Sequence, residues 1–307
     1  MIQELNGRTV ESRRPEDLSF LADYGEVFAV FDQNDSGNVS FGVRNGEERY
    51  FLKVAGLATA QGAVSPQEAV ENLRRAETVY RDLAHPHLVR LRETGAKGDL
   101  FWLVFSWQEG ECLYDHWNFD RYQREGLPSP RERFRALPAG EKLAALAPVI
   151  DFLAQAGERG YAAVDFYDGS LLYDFSQKRM TVCDVDCFRK LPFSNPVGER
   201  YWGSTRLKAP EEYRLGAPIG RETAVFTLGA LLFHLFGWYL PQELETMREN
   251  RAFFPCPRER WQLGEQTYQV AKQAASPAPG DRFPGVRRME AAWKEALARE
   301  TGEEETI

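Results

Sequence analysis

Two aspartates stand at the ends of one short stretch, Tyr161 to Phe188 (YAAVDFYDGSLLYDFSQKRMTVCDVDCF). Inside it, apolar runs at Leu171 to Tyr173 and Met180 to Cys183 flank a polar turn at Asp174 to Lys178. That pattern predicts a small hairpin with Asp165 entering it and Asp184 leaving it. Carboxylates are hard oxygen donors and proton acceptors, so two of them on a rigid ribbon suit a base beside a divalent cation. Aspartate is equally at home in plain surface turns, and the pair alone does not separate the two readings.

The elements that must position these groups come from the rest of the chain. Its 307 residues suffice for one large domain or two lobes, and 43% hydrophobic with 27% charged residues is the balance of an ordinary globular protein. A net charge of -8 and a pI near 5.3 argue against general nucleic-acid binding, which needs a concentrated basic surface. Met1 to Val10 carries Glu4 and Arg8 with no apolar stretch behind it, unlike a secretory signal. Ala224 to Leu240 is the most apolar run; it is short for a bilayer and contains His234, so it reads as a buried central helix, with no membrane partner. Cys112, Cys183, Cys187 and Cys256 show neither metal-ligand pairing nor disulfide density, which fits a reducing cytoplasm.

Residues 1–25 read as a polar N-terminal arm. Strands follow at Glu26 to Phe31, Val39 to Arg44 and Glu48 to Ala55, the last two joined by the hairpin dipeptide Asn45-Gly46 and the last carrying Lys53 between apolar neighbours. Pro66 with Glu68 starts a helix running to Leu83, and two further strands end near Trp107. Residues 26–107 therefore form a five-stranded antiparallel lobe with one helix, and 108–112 a crossing segment. Residues 113–307 are mainly helical, with helices expected at Leu113 to Tyr122, Lys142 to Gly157, Ala224 to Phe236, Arg258 to Ala275 and Val286 to Ala298, and a polar loop or short helix at Pro128 to Gly140. The fold class is α+β.

In this order of parts the chain resembles the protein-kinase-like superfamily, most closely an atypical bacterial serine/threonine protein kinase, from about Glu26 to Ala298. The resemblance implies a bilobal fold, ATP and Mg²⁺ (or Mn²⁺) as cofactors, and a hydroxyl acceptor. Asp32, Asn34, Gly37 and Val39 fall on the glycine-rich loop, of which only the final Gly and the Val are kept. Lys53, in YFLK, matches the strand lysine that contacts the α- and β-phosphates; Ala76 occupies the place of its usual helix glutamate, leaving Glu77 or Glu71 as candidate partners. Phe105 to Gln108, including Ser106 and Trp107, match the segment that receives adenine. AVD matches HRD, making Asp165 the catalytic aspartate; Tyr167 stands where the family has lysine, and Ser170 where it has the metal-binding Asn. CDVD matches the DFG region, with Asp184 on the metal and Asp186 as an additional carboxylate; Asp168 is a further candidate ligand. Gly203-Ser204 and Ala209-Pro210-Glu211 reproduce the family's GT…APE spacing, with Ser204 framing the acceptor and Glu211 pairing with Arg282.

The resemblance supports phosphoryl transfer from ATP to Ser or Thr of a protein. The absent lysine at Tyr167 and the added Asp186 favour a small-molecule kinase, and the Glu211 to Arg282 pairing opposes it. Loss of the glycine loop, of the HRD His and Arg and of the metal Asn favours a non-catalytic scaffold, whereas retention of Lys53, Asp165 and Asp184 together opposes that.

Overall fold

The computed structural model of the chain describes residues 1–32, 36–60, 64–115, 118–200 and 207–302, without the side chains of Phe119 and Asp120. The protein is α+β, and its contacts separate two units, Met1–Glu109 and Gly110–Ile307.

The first unit is built on one antiparallel sheet. Its strands are β3 (Glu26–Phe31), β4 (Val39–Asn45), β5 (Glu48–Ala55), β6 (Leu91–Lys97) and β7 (Leu100–Ser106), in the spatial order β3-β4-β5-β7-β6. Lys53 lies on the central strand, opposite Ser40 on one side and Leu103 on the other. Alternation along β7 sends its side chains to opposite faces. Phe105 meets helix α1 (Pro66–Asp82) through an edge contact to Tyr80 at 4.7 Å, while Trp102 stacks on Phe20 at 4.0 Å. Ser65 caps α1 by accepting from Glu68 N–H, and Pro66 occupies its first turn.

Residues 1–25 do not form an arm. They are a hairpin, β1 (Ile2–Leu5) and β2 (Arg8–Glu11), followed by a 3₁₀ turn at Ser19–Asp23, and they cover one face of the sheet. The cause is burial: Val10, Leu18, Phe20 and Leu21 join the same apolar cluster as Phe41, Leu52 and Val104, each contributing about 1.5–3 kcal/mol on removal from water. The hairpin is also pinned by polar contacts, since Asn6 Oδ1 accepts from Val27 N–H at 3.0 Å and Asp32 Oδ2 from Glu11 N–H at 2.8 Å. Its turn is Asn6-Gly7, with φ of 51° and 75°, the same dipeptide that marks the β4–β5 turn.

The second unit opens with β8 (Glu111–Cys112), α2 (Phe119–Glu125), α3 (Pro130–Arg135) and α4 (Ala139–Glu158). The helix expected from Leu113 starts only at Phe119, and the polar stretch after Pro128 holds α3, whose Phe134 is fully buried. β9 (Tyr161–Ala162), β10 (Leu171–Asp174), β11 (Arg179–Val182), β12 (Arg189–Lys190), β13 (Phe193–Ser194) and β14 (Pro218–Ile219) pair locally as β9-β12, β13-β14 and β8-β10-β11. Helices α5 (Arg221–Phe236), α6 (Pro241–Asn250), α7 (Glu265–Ala274) and α8 (Val286–Thr301) complete it. α5 is buried from Thr223 to Phe236, as its apolar circumference requires. α6 is absent from the sequence expectation because only Met247 of its ten residues is buried, which leaves no apolar stripe to read. Among the described residues no helix is long and apolar enough to cross a membrane.

Candidate active site

The predicted hairpin is present and anchored. Leu171 pairs with Val182 and Asp174 with Arg179; Asp174 Oδ1 accepts from the N–H groups of Ser176 and Gln177 and closes the turn. Buried Tyr173 ties the ribbon to α4 by donating its O–H to Glu141 at 2.9 Å. Asp165 precedes the hairpin and Asp184 follows it. Both have left-handed backbones, φ 59° and 53°, a conformation uncommon outside glycine though tolerated by aspartate, and one that concentrates at functional sites.

Two neighbours register both carboxylates. The Tyr167 phenol is pushed upward by burial and then by the charges of Asp165 and Asp184. The Cys187 thiol is pushed well up by burial and then by Asp165, Asp184 and Asp186. Cys112, raised to about 12 by burial, donates its thiol toward the carbonyls of Gly169 at 3.3 Å and Tyr114 at 3.5 Å. These thiols are neutral near pH 7, so the site offers carboxylate chemistry rather than a thiolate nucleophile. Tyr167 folds back over its own turn: a Cβ at Gly169 would run into the Tyr167 ring, so a larger residue there requires the ring to move.

The candidate metal ligands differ in what already holds them. Asp184 is exposed and Asp186 half-buried. Ser170 is fully buried, its Oγ accepting from Tyr167 N–H at 3.4 Å, and buried Asp168 faces Arg131 at 3.5 Å. Among the described residues no group of three or more His, Cys, Asp or Glu is arranged to hold a metal by itself. Mg²⁺ bound with a nucleotide needs only one or two carboxylates, the rest being phosphate and water, so Asp184 and Asp186 fit that donor chemistry. Ser170 fits it less well, because its hydroxyl is enclosed and already bonded to the backbone.

Sequence reading missed Lys208 and Glu212. Both are buried, and Asp165 acts on the ionisation of each. Lys208 sits over the Tyr213 ring at 5.0 Å, and its ammonium is lowered by burial while Glu212 and Asp165 work against that. It brings a positive charge near Asp165 where Tyr167 supplies none. The only signal available in sequence is a lysine adjoining Ala209-Pro210-Glu211. Glu212 is raised to about 8 by burial, opposed by the hydrogen bond from Ala209 N–H. A carboxyl that binds its proton more tightly folded than unfolded stabilises the fold fully below about pH 4.5, and that contribution is lost as pH rises through 8. The unfolding free energy of the native protein is therefore expected to fall between pH 5 and 8 relative to Glu212→Gln, by roughly 1.4 kcal/mol for each pH unit of the window, and its Tm to fall with it. Parallel melting profiles for the two proteins would show that Glu212 is not held protonated.

In the first unit Lys53 is half-buried between fully buried Leu52 and Val54, and Val39 lies opposite Val54. Ala76 faces the core; Glu77 accepts from Arg81 at 2.9 Å, and Glu71 is on the exposed side of α1. Asp32 is engaged with the β1–β2 hairpin, as described above. Gly37, at φ 78°, lies against the start of α1, where a Cβ would approach Val64 Cγ2 to 2.7 Å, so this glycine has a packing cause of its own. Asn34, Gly203 and Ser204 lie outside the described residues. Ser106 N–H donates to Arg90 O and Trp107 N–H to Arg49 O, each at 3.0 Å; Gln108 N–H has no acceptor among the described residues. Trp107 packs edge-on against Phe28 at 4.9 Å, and Phe51 lies 6.5 Å from both Phe105 and Trp107.

Glu211 and Arg282 form a closed fork. Arg282 Nη1 and Nη2 donate to the two Glu211 oxygens at 2.6 and 2.9 Å, with both side chains essentially inaccessible. No protein-family model and no curated protein matches this chain.

Proposed function

We propose that the chain is a phosphotransferase of protein-kinase-like fold that transfers the γ-phosphoryl group of ATP to a hydroxyl, most simply Ser or Thr of a protein. The observation that carries this reading is the pair Asp165 and Asp184, both in left-handed backbone at the two ends of one anchored hairpin. The inaccessible Glu211–Arg282 fork supports a protein rather than a small-molecule acceptor.

In this reading Asp165 accepts the proton of the attacking hydroxyl and aligns its oxygen, and the positive charge of Lys208 acts on it. Asp184 and Asp186 hold the metal of the nucleotide, and Lys53 contacts the α- and β-phosphates. Mg²⁺, when bound, neutralises charge developing on the phosphoryl oxygens. The Gln108 N–H is the donor left for an adenine edge, beside the aromatic surface of Phe28, Phe51 and Trp107.

A non-catalytic scaffold is the second reading, favoured by the enclosed Ser170 hydroxyl and by the engagement of Asp32 and Gly37 elsewhere. Calorimetry with Mg-ATP separates the two. Saturable binding is expected, weakened about tenfold or more in Asp184→Asn through loss of one charge-assisted ligand. Failure of the folded protein to bind Mg-ATP would favour the scaffold.

A further inference from the structure

A cavity of about 790 Å³ lies wholly within the second unit, away from the hairpin aspartates in sequence, and the phosphotransfer reading does not use it. Its walls include Leu127, Arg135 at the end of α3, Lys142 in the first turn of α4, Phe236 and Trp238 at the end of α5, and Trp261. It is an open groove rather than an enclosed pocket, with a volume and an aromatic lining that suit part of a small molecule.

The charges on its walls do not cancel. Lys142 is 1% exposed and donates to the carbonyls of Leu235 at 2.9 Å and Arg135 at 3.1 Å, with its ammonium 4.6 Å from the Phe236 ring centre. The carboxyl end of α5 offsets part of that charge, but no carboxylate pairs with Lys142 among the described residues. Arg135 donates one bond, from Nη2 to Gly237 O at 2.7 Å, and lies 5.0 Å from the Trp238 ring. It too has no carboxylate partner among the described residues, and its Nε and Nη1 groups have no acceptor there. Burial and proximity lower both cations, Lys142 to about 8.

The other charged groups on the wall leave this excess in place. Arg260 is neutralised by Glu243 through two bonds of 2.6 and 3.0 Å. Glu132 is locked in the α3 capping box by Ser129 and offsets part of the Arg135 charge without a direct bond, and Glu259 is solvent-exposed. Lys142 is a buried cation without a carboxylate partner among the described residues, and the half-buried Arg135 adds a second positive charge next to it, so in a protein of net charge -8 the two mark a place where an anion is stabilised. Trp238, 59% exposed, and Leu127, 48% exposed, add an apolar mouth.

We propose that this cavity binds a small organic carboxylate with a flat apolar body: the body lies on Trp238, the carboxylate is taken by the free N–H groups of Arg135, and Lys142 strengthens the site from beneath. Arginine suits this role because its planar fork matches a carboxylate in a bidentate geometry. The site is independent of ATP chemistry and stands whether or not the chain transfers phosphate.

The test uses the full chain labelled with 5-fluorotryptophan, with the Trp238 resonance assigned through Trp238→Phe, and indole-3-acetate, indole-3-acetamide and inorganic phosphate as probes. Indole-3-acetate is expected to shift Trp238 saturably by about 20 mM, as a site of roughly millimolar Kd requires. The neutral amide, and the acetate added to Arg135→Gln, should bind about tenfold more weakly. Should Arg135→Gln fail to fold, Trp238→Ala, at an exposed position, is read through Trp261 and should lose the apolar contribution. Equal shifts from acetate and amide, a shift from inorganic phosphate as large as that from the acetate, or no shift of Trp238 or Trp261 would overturn the proposal.

Discussion

Arg282→Ala is expected to destabilise the second unit by about 3–5 kcal/mol, the usual cost of leaving one partner of a buried ion pair alone. Arg282 uses all five of its N–H donors: two go to Glu211, Nε goes to Ser276 O at 2.7 Å, and Nη1 and Nη2 also reach Glu222 O and Pro277 O at 3.1 and 2.9 Å. Its guanidinium also lies 4.7 Å from the Phe226 ring on α5. Removing it strips three carbonyls of a donor and leaves Glu211, among the described residues, with only the Thr223 hydroxyl, at 2.8 Å. At roughly 2–4 °C per kcal/mol for a unit of this size, Tm should fall by about 6–20 °C. Lysine cannot reproduce the fork, so Arg282→Lys should recover little of the loss. Glu211→Gln combined with Arg282→Met should cost less than the sum of the two single changes, because the second removes the charge stranded by the first. Denaturant titration of the four proteins reads this directly; additive costs would mean that the fork is not the unit of stability.

Asp165→Asn should lower phosphoryl transfer by about 10²–10⁴, the range for a positioned proton acceptor, while leaving Mg-ATP affinity within a few-fold of the native value. Asparagine is the informative replacement. It occupies the left-handed region as readily as aspartate, so the backbone at φ 59° is kept and the proton acceptor alone is lost. Asp165→Ala would mix the chemical loss with strain at a residue that has a Cβ but no polar side chain to support that conformation. Initial rates at saturating Mg-ATP, with calorimetry on the same preparation, separate the two effects. A variant that retains most of its rate would remove Asp165 from the chemistry.

What was legible in sequence is what local pattern controls. The strand bearing Lys53 runs from Glu48 to Ala55 as expected, because apolar alternation and the Asn45-Gly46 turn specify it locally. The hairpin between Asp165 and Asp184 is legible for the same reason, and the Glu211–Arg282 contact followed from the resemblance. The β1–β2 hairpin carried a signal in Asn6-Gly7, yet its four-residue strands each alternate too briefly to be read apart from a polar arm. The partner of Asp32 was beyond reach, since a bond to Glu11 N–H depends on where that hairpin lands rather than on neighbours in the chain. The charge of Lys208 near Asp165 and the cation pair of Arg135 and Lys142 likewise arise from tertiary packing, which spacing along the chain does not encode.

Phosphoryl transfer to protein is read out by labelled γ-phosphate. The native chain and Asp165→Asn are incubated with labelled Mg-ATP, a generic protein acceptor and the chain itself, with a parallel set of small hydroxyl compounds. Label is expected on Ser or Thr of protein in the native reaction and is expected to be lost in Asp165→Asn. Asp165-dependent consumption of ATP with label only on a small hydroxyl compound would contradict the protein acceptor; a folded native chain that labels nothing would contradict the transfer itself.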